Sequence, residues 1–169
     1  IVDYAEMNVS RYKAGNESLV AIDPANGQVL ALVGSRDYWN DEIQGKNNMA
    51  LAPRLPGSSF KPIVYAAAFM QGYVPGTVVY DVKTNFGQTY EPENYDGKER
   101  GPVTFRTALG HSLNIPAVKA AYLAGVHNVL ALARTLGLRL NQPDDWYGLS
   151  LALGAGEVRL IDLVAAYAV

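Results

Sequence analysis

Ser58 and Lys61, three apart in "PGSSFKP", are the smallest unit of this chain that could do covalent chemistry. A serine hydroxyl is inert at its own pKa and becomes a nucleophile only beside a base. A lysine amine can be that base once burial strips its hydration and lowers its pKa. Spacing alone says little, since seven serines and six lysines in 169 residues give about 0.25 chance matches to Ser-x-x-Lys. The chain holds two. The other, Ser10-Arg11-Tyr12-Lys13, runs into Ala14-Gly15-Asn16, a polar stretch that holds neither side chain, and reads as surface linker.

The surroundings of Ser58 are different. Pro56-Gly57 breaks the chain just before it, and Pro62 follows four residues later. Proline lacks an N–H and clashes in a helix interior, so Pro62 pins a helix start close to Ser58. The hydroxyl then lies at the positive end of the helix dipole, where developing negative charge is favoured. Lys61 falls on the same face, one turn on. The next residues, "IVYAAAFM", are apolar nearly all round, which predicts a helix buried in the protein centre with Lys61 at its mouth. Residues 56–70 alone leave a second reading open, in which Ser58 caps the helix and Lys61 snorkels to solvent.

The elements that must carry this pair are legible in outline. Leu19–Ile22 and Val29–Val33 read as a hairpin around Asp23, Pro24, Asn26 and Gly27. Residues 34–55 are polar and irregular, with Tyr38 and Trp39 as expected anchors. The helix after PGSSFKP should reach about Gly72. Residues 73–101 read as a long ordered loop. Thr104 is placed to cap a helix running to about Gly110, and "HSLNIP" interrupts it. Pro116 suits the first turn of the next helix, whose apolar face takes Val118, Ala121 and Tyr122. A further helix follows, ended by Gly137, then a loop over 138–150, a small-residue turn in "LALGAGEV" and a last helix from Arg159. This segregation of strands and helices predicts an α+β fold.

Composition narrows the function classes. Hydrophobic residues make up 49% and charged residues 18%, as expected for one globular domain. The formal net charge of -2 shows no basic footprint for nucleic acid. There are no cysteines, and His111 and His127 lie outside any ligand spacing, so neither a disulfide nor a metal site is expected. No signal peptide or membrane-spanning run is visible. The last residues, LIDLVAAYAV, stop inside an apolar helical pattern without a cap, so both ends read as cut from something longer.

The motifs resemble those of a known family. "RLPGSSFKPIVYAAA" and "HSLNIPAVKAA" look like the first two motifs of the penicillin-binding serine transpeptidases, whose set is S-x-x-K, S-x-N and K-T-G. "LVAIDPANGQVLALVGSRDY", "YEPENYDGKERGPVTFRTALGHSLNIPAV" and "LALGAGEVRLIDLVAAYAV" extend the likeness over about residues 17–169 to the transpeptidase domain of bifunctional, class A penicillin-binding proteins. The resemblance implies the penicillin-binding and serine β-lactamase-like fold, an antiparallel sheet with packed helices and a helical subdomain. It implies a connector over 1–17 and the N-terminal portion of the domain over 18–169. It implies Ser58 as nucleophile on D-Ala-D-Ala stem peptides of peptidoglycan and Lys61 as acceptor of its proton. Ser112 would relay that proton to the leaving amine, and Asn114 would hold Lys61 and the substrate amide, so Ser58, Ser112 and Asn114 also bind substrate. β-Lactams would acylate Ser58. No cofactor is implied. A glycosyltransferase domain of the same polypeptide, a missing N-terminal membrane anchor and an extracytoplasmic bacterial location are.

One part of the pattern is absent. Nothing after Asn114 matches Lys-Thr/Ser-Gly, the motif whose strand lines the site in this family. That strand would add a cationic group for the substrate carboxylate and a second oxyanion donor, and losing one such donor costs about 10²–10³ in rate. The fold is therefore expected to be incomplete at its C-terminus, its hairpin with an exposed edge and face, and the 169-residue piece alone weakly active or inactive. Two other functions fit the first motifs. A β-lactamase needs a positioned water and a base, and Glu91, Glu93, Glu99 and Glu157 match no pattern for that role. A penicillin-binding sensor or scaffold needs no turnover.

Overall fold

The computed structural model describes residues 7, 11, 14–87 and 90–168. The expected connector, 1–17, falls largely outside these residues, and so does the second Ser-x-x-Lys sequence at 10–13. The chain forms two compact units. One comprises Ile1–Arg54, Leu136–Arg139 and Glu157–Val169, and the other Leu55–Thr135 and Leu140–Gly156.

In the first unit, β1 (Leu19–Ile22) and β2 (Val29–Val33) pair antiparallel, with a register shift between Ala21 and Ile22. The turn works as its residue types require. The Asp23 carboxylate accepts from Ala25 N–H and Asn26 Nδ2, and Gly27 takes a positive φ of 75° to close it. Val29, Leu30 and Leu32 of β2 are exposed. Two short segments read as irregular in the sequence also pair: β3 (Pro53–Arg54) with β6 (Val158–Arg159), antiparallel. Arg159 then forks onto Asp162, with Nε donating to Oδ2 at 2.7 Å. This secures the first turn of the last helix, Leu160–Tyr167, which packs on β1. The expected anchors Tyr38 and Trp39 meet edge to face at 4.9 Å, yet both are exposed, Trp39 by 80%. They do not anchor the segment. Its backbone is held instead by hydrogen bonds such as Gly45 N–H to Asn40 O and Met49 N–H to Gly34 O.

The second unit is built on helices. A 3-10 turn, Gly57–Phe60, leads into α1 (Lys61–Met70), with Pro62 in its first turn. Further along come α2 (Phe105–Gly110), α3 (Asn114–Ala124) and α4 (Val126–Thr135). α1 packs against α2, α3 and α4. The apolar run is buried through Ile63, Val64, Tyr65, Ala67 and Ala68, as its composition predicts, and only its end, Phe69 and Met70, reaches solvent. Ala117, Ala120, Ala121 and Ala124 are all buried on α3, so the facing backbones approach closely. Tyr65 and Phe105 meet edge to face at 5.1 Å in the same core. Tyr122, read as part of the apolar face of α3, is 67% exposed and only flanks Phe86 at 6.2 Å.

Thr104 caps α2 as its type predicts, its hydroxyl accepting from Thr107 N–H at 3.2 Å. The region read as one long loop contains two strands, β4 (Val78–Asp81) and β5 (Gly101–Thr104), paired antiparallel. The expectation of an α+β fold therefore stands, and the three strand pairs among the described residues are all antiparallel.

Candidate active site

Lys61 opens α1 and is 1% exposed, so it does not snorkel. Its Nζ donates to Ser112 O at 2.6 Å, to Asn114 Oδ1 at 2.7 Å and to Ser112 Oγ at 3.2 Å. A buried amine without these acceptors would be costly, and with them its position is fixed from three sides. All three partners are neutral oxygens, so burial dominates and pushes the Lys61 pKa down from 10.5 to about 8.

Ser112 sits between α2 and α3 with φ of 53°, one of two non-glycine residues in the left-handed region among the described residues. An L-residue held there stores about 1–2 kcal/mol. The α2 end enforces it: Ser112 N–H donates to Leu109 O and Leu113 N–H to Ala108 O. This turn aims both the hydroxyl and the carbonyl of Ser112 at Lys61. Asn114, two residues on, is the first residue of α3, and its Nδ2 donates to Glu93 O at 2.8 Å. That contact leaves its Oδ1 free to face Lys61.

Ser58 lies in the 3-10 turn, exposed, and its carbonyl accepts the Lys61 backbone N–H. Its hydroxyl makes no hydrogen bond among the described residues. The structure thus joins Lys61, Ser112 and Asn114 directly and holds Ser58 in the turn that leads into α1, the helix of Lys61, with its Oγ making no hydrogen bond among the described residues. Ser59, its neighbour, is tied down by its own hydroxyl donating to Pro56 O at 2.6 Å. Gly57, just before Ser58, has φ of 57°. Gly154, from "LALGAGEV", packs on it so closely that a Cβ there would lie 2.3 Å from Gly57 N. The small-residue turn therefore packs directly on the residue that precedes Ser58.

Several of these residues were not picked out by sequence reasoning. Gly57 shows in the sequence as part of the chain break before Ser58 and Gly154 as part of a small-residue turn, but nothing there says that the two meet. Asn94 and Asp81 support Asn114 from elements distant in sequence, and their only visible mark was a polar pair of types inside a loop-like stretch. Of the glutamates weighed as a hydrolytic base, Glu91 and Glu93 pair with Lys83 at 3.6 and 3.4 Å. Among the described residues no group of three His, Cys, Asp or Glu side chains could hold a metal ion.

The penicillin-binding protein transpeptidase domain model matches residues 17–157. Penicillin-binding protein 1A of Aquifex aeolicus is 38% identical over 159 residues, covering 90% of this chain and 21% of the relative. Penicillin-binding protein 2D of Bacillus subtilis is 38% identical over 157 residues, 88% of this chain and 21% of the relative. The chain thus spans about a fifth of the length of these curated relatives. Among solved structures, penicillin-binding protein 1A from Haemophilus influenzae superposes with a TM-score of 0.75 at 33% identity, over 90% of this chain and 23% of that one. The PonA1 protein from Mycobacterium tuberculosis in complex with penicillin V superposes at 0.79 with 28% identity, over 97% and 46%. Motifs, fold and relatives agree, and the chain belongs to the penicillin-binding protein transpeptidase family, in the branch related to the class A proteins.

Proposed function

We propose that this chain carries the acylation site of a peptidoglycan D,D-transpeptidase, with Ser58, Lys61, Ser112 and Asn114 as its working residues. The observation that carries the reading is the Lys61 amine: buried, held by Ser112 and Asn114, and lowered to about 8. At pH 7 about a tenth of such an amine is the free base, against well under a thousandth at the ordinary pKa.

Ser58 Oγ attacks the penultimate D-alanine carbonyl of a stem peptide and gives its proton to Lys61 Nζ. The new bond is Oγ–C. The C–N bond to the terminal D-alanine breaks as Ser112 Oγ passes a proton from Lys61 to the leaving amine. Lys61 and Ser112 are already 3.2 Å apart, so this relay needs little rearrangement. An amino group of a neighbouring stem then attacks the ester, and the proton returns along the same path. Asn114 keeps Lys61 aimed and offers its amide to the substrate backbone. Ser58 sits at the start of a helix, where unsatisfied N–H groups favour the developing oxyanion. A β-lactam presents a strained amide to the same serine and forms a stable ester. In the full protein the domain acts outside the cytoplasmic membrane, alongside a glycosyltransferase domain that supplies glycan strands.

A chromogenic β-lactam given to the full-length protein tests this reading. A stoichiometric burst followed by very slow turnover, lost in Ser58→Ala, is the expected result. Sustained hydrolysis would assign a β-lactamase instead, and no burst would refute the acylation site.

A further inference from the structure

The contact between Asn114 and Lys61 is set from outside the three motifs. α3 has no cap of its own, because Leu113 stands at its N-cap and offers no side-chain acceptor. Asn94, 20 residues upstream, supplies it: its Oδ1 accepts from Asn114 N–H at 2.8 Å and from Ile115 N–H at 3.4 Å. An amide side chain can present either its oxygen or its nitrogen, so something must choose. Here the choice is made by Asp81, the last residue of β4. Asn94 Nδ2 donates to Asp81 Oδ1 at 2.7 Å and Oδ2 at 2.9 Å, and to Lys98 O at 2.8 Å. A carboxylate and a carbonyl accept only, so the nitrogen is held on that side and the oxygen faces α3. Asp81 is 0% and Asn94 6% exposed, so the pair is shielded from bulk solvent, and Arg100 lies 3.6 Å from Asp81 as its counter-charge. Glu93, the preceding residue, orients the Asn114 amide in the same way, its carbonyl taking Nδ2 and so turning Oδ1 to Lys61.

We propose that Asn94, oriented by Asp81, is a positioning residue for the proton-transfer site: it fixes the start of α3 and with it the Asn114–Lys61 contact. The residues 93–94 act as one clamp, gripping the backbone of Asn114 through a side chain and the side chain of Asn114 through a backbone carbonyl. The inference rests on the reading of Lys61 as the base.

A double-mutant cycle in the full-length protein separates action through Asn114 from loss of fold. The rate of acylation by fluorescent penicillin is measured for wild type, Asn94→Ala, Asn114→Ala and the double variant. Each single variant is expected to slow acylation by about ten-fold or more, the equivalent of one hydrogen bond to a charged group. The double variant should be no slower than Asn114→Ala by more than about two-fold, because both act on one contact. Losses that multiply, or an Asn94→Ala rate within about two-fold of wild type, overturn the proposal. Should Asn94→Ala not fold, Asn94→Asp is compared with the exchange pair Asp81→Asn/Asn94→Asp. The exchange restores a donor facing an acceptor and should recover at least about five-fold in rate; no recovery counts against the proposal. If the wild type itself is not acylated, the functional reading fails, and an NMR titration of the Lys61 side chain decides the inference by itself. Asn94→Ala releases the start of α3, so that Asn114 Oδ1 holds the ammonium form of Lys61 less well, and should move the Lys61 midpoint downward, whereas an unmoved midpoint refutes the clamp.

Discussion

Replacing Lys61 by methionine isolates the cost of the buried amine. In the unfolded chain a lysine titrates near 10.5, and in the fold Lys61 titrates near 8 because of its burial. The unfolded state therefore binds the proton more tightly, and the fold bears a penalty of about 3 kcal/mol at neutral pH. The sign follows directly. Below about pH 8 both states are protonated and the penalty is complete. Between about 8 and 10.5 the folded lysine is neutral while the unfolded one is still charged, so stability rises with pH. Between pH 7 and 9.5 the gain is about 2 kcal/mol. Urea unfolding of wild type and Lys61→Met at half-unit steps over that range measures it. The difference between the two proteins cancels every other titrating group, including Lys119, whose pKa burial also lowers. Wild type should gain on the variant by about 2 kcal/mol as pH rises, with a slope never above about 1.4 kcal/mol per pH unit. A flat difference, or one that favours the variant at higher pH, would refute the picture of a desolvated, depressed lysine.

Four further outcomes follow from the same geometry. On the proposed role of Lys61 as the base, the rate of penicillin acylation should rise about ten-fold per pH unit below 8 and level off above it; stopped-flow labelling across pH 6–9 reads this. Ser112→Gly relieves the positive φ and should keep or raise the melting temperature while acylation falls at least ten-fold, whereas Ser112→Ala should lose rate without the conformational relief. Gly154→Ala forces a methyl to within 2.3 Å of Gly57 N at a φ of 79°; we expect a loss of about 2–3 kcal/mol in thermal or denaturant unfolding, together with slowed labelling of Ser58. Thr104→Ala removes the α2 cap and should cost about 1 kcal/mol, measured by denaturant midpoint, with little effect on the pH profile of acylation.

How much of this was legible in the sequence depends on whether the information was local. The β1–β2 hairpin, the α1 start at Pro62 and the Thr104 cap are written in turn and cap residues within a few positions, and each was read correctly. The pairs β3–β6 and β4–β5 were missed because "PR", "VR" and "GPVT" are too short or too proline- and glycine-rich to show a period, and their partners lie far along the chain. Tyr38 and Trp39 read as anchors and Tyr122 as part of an apolar face because large rings usually pack against neighbours, yet here all three are exposed. In the candidate site, the Ser-x-x-Lys and Ser-x-Asn spacings point to Lys61, Ser112 and Asn114, which the structure brings into contact, and the buried run after Pro62 foretold the desolvated lysine. The left-handed Ser112 and the Asp81–Asn94–Asn114 chain could not be read, since each depends on contacts between segments that the sequence keeps apart.

The central claim is that Ser58 is the nucleophile and Lys61 its base. The most direct test is to expose the full-length protein to a penicillin, digest it and locate the adduct by mass spectrometry. A single ester on Ser58, absent from Ser58→Ala and formed far more slowly in Lys61→Met, is the predicted result. An adduct on Ser59, Ser112 or any other residue, or undiminished labelling in either variant, would contradict it.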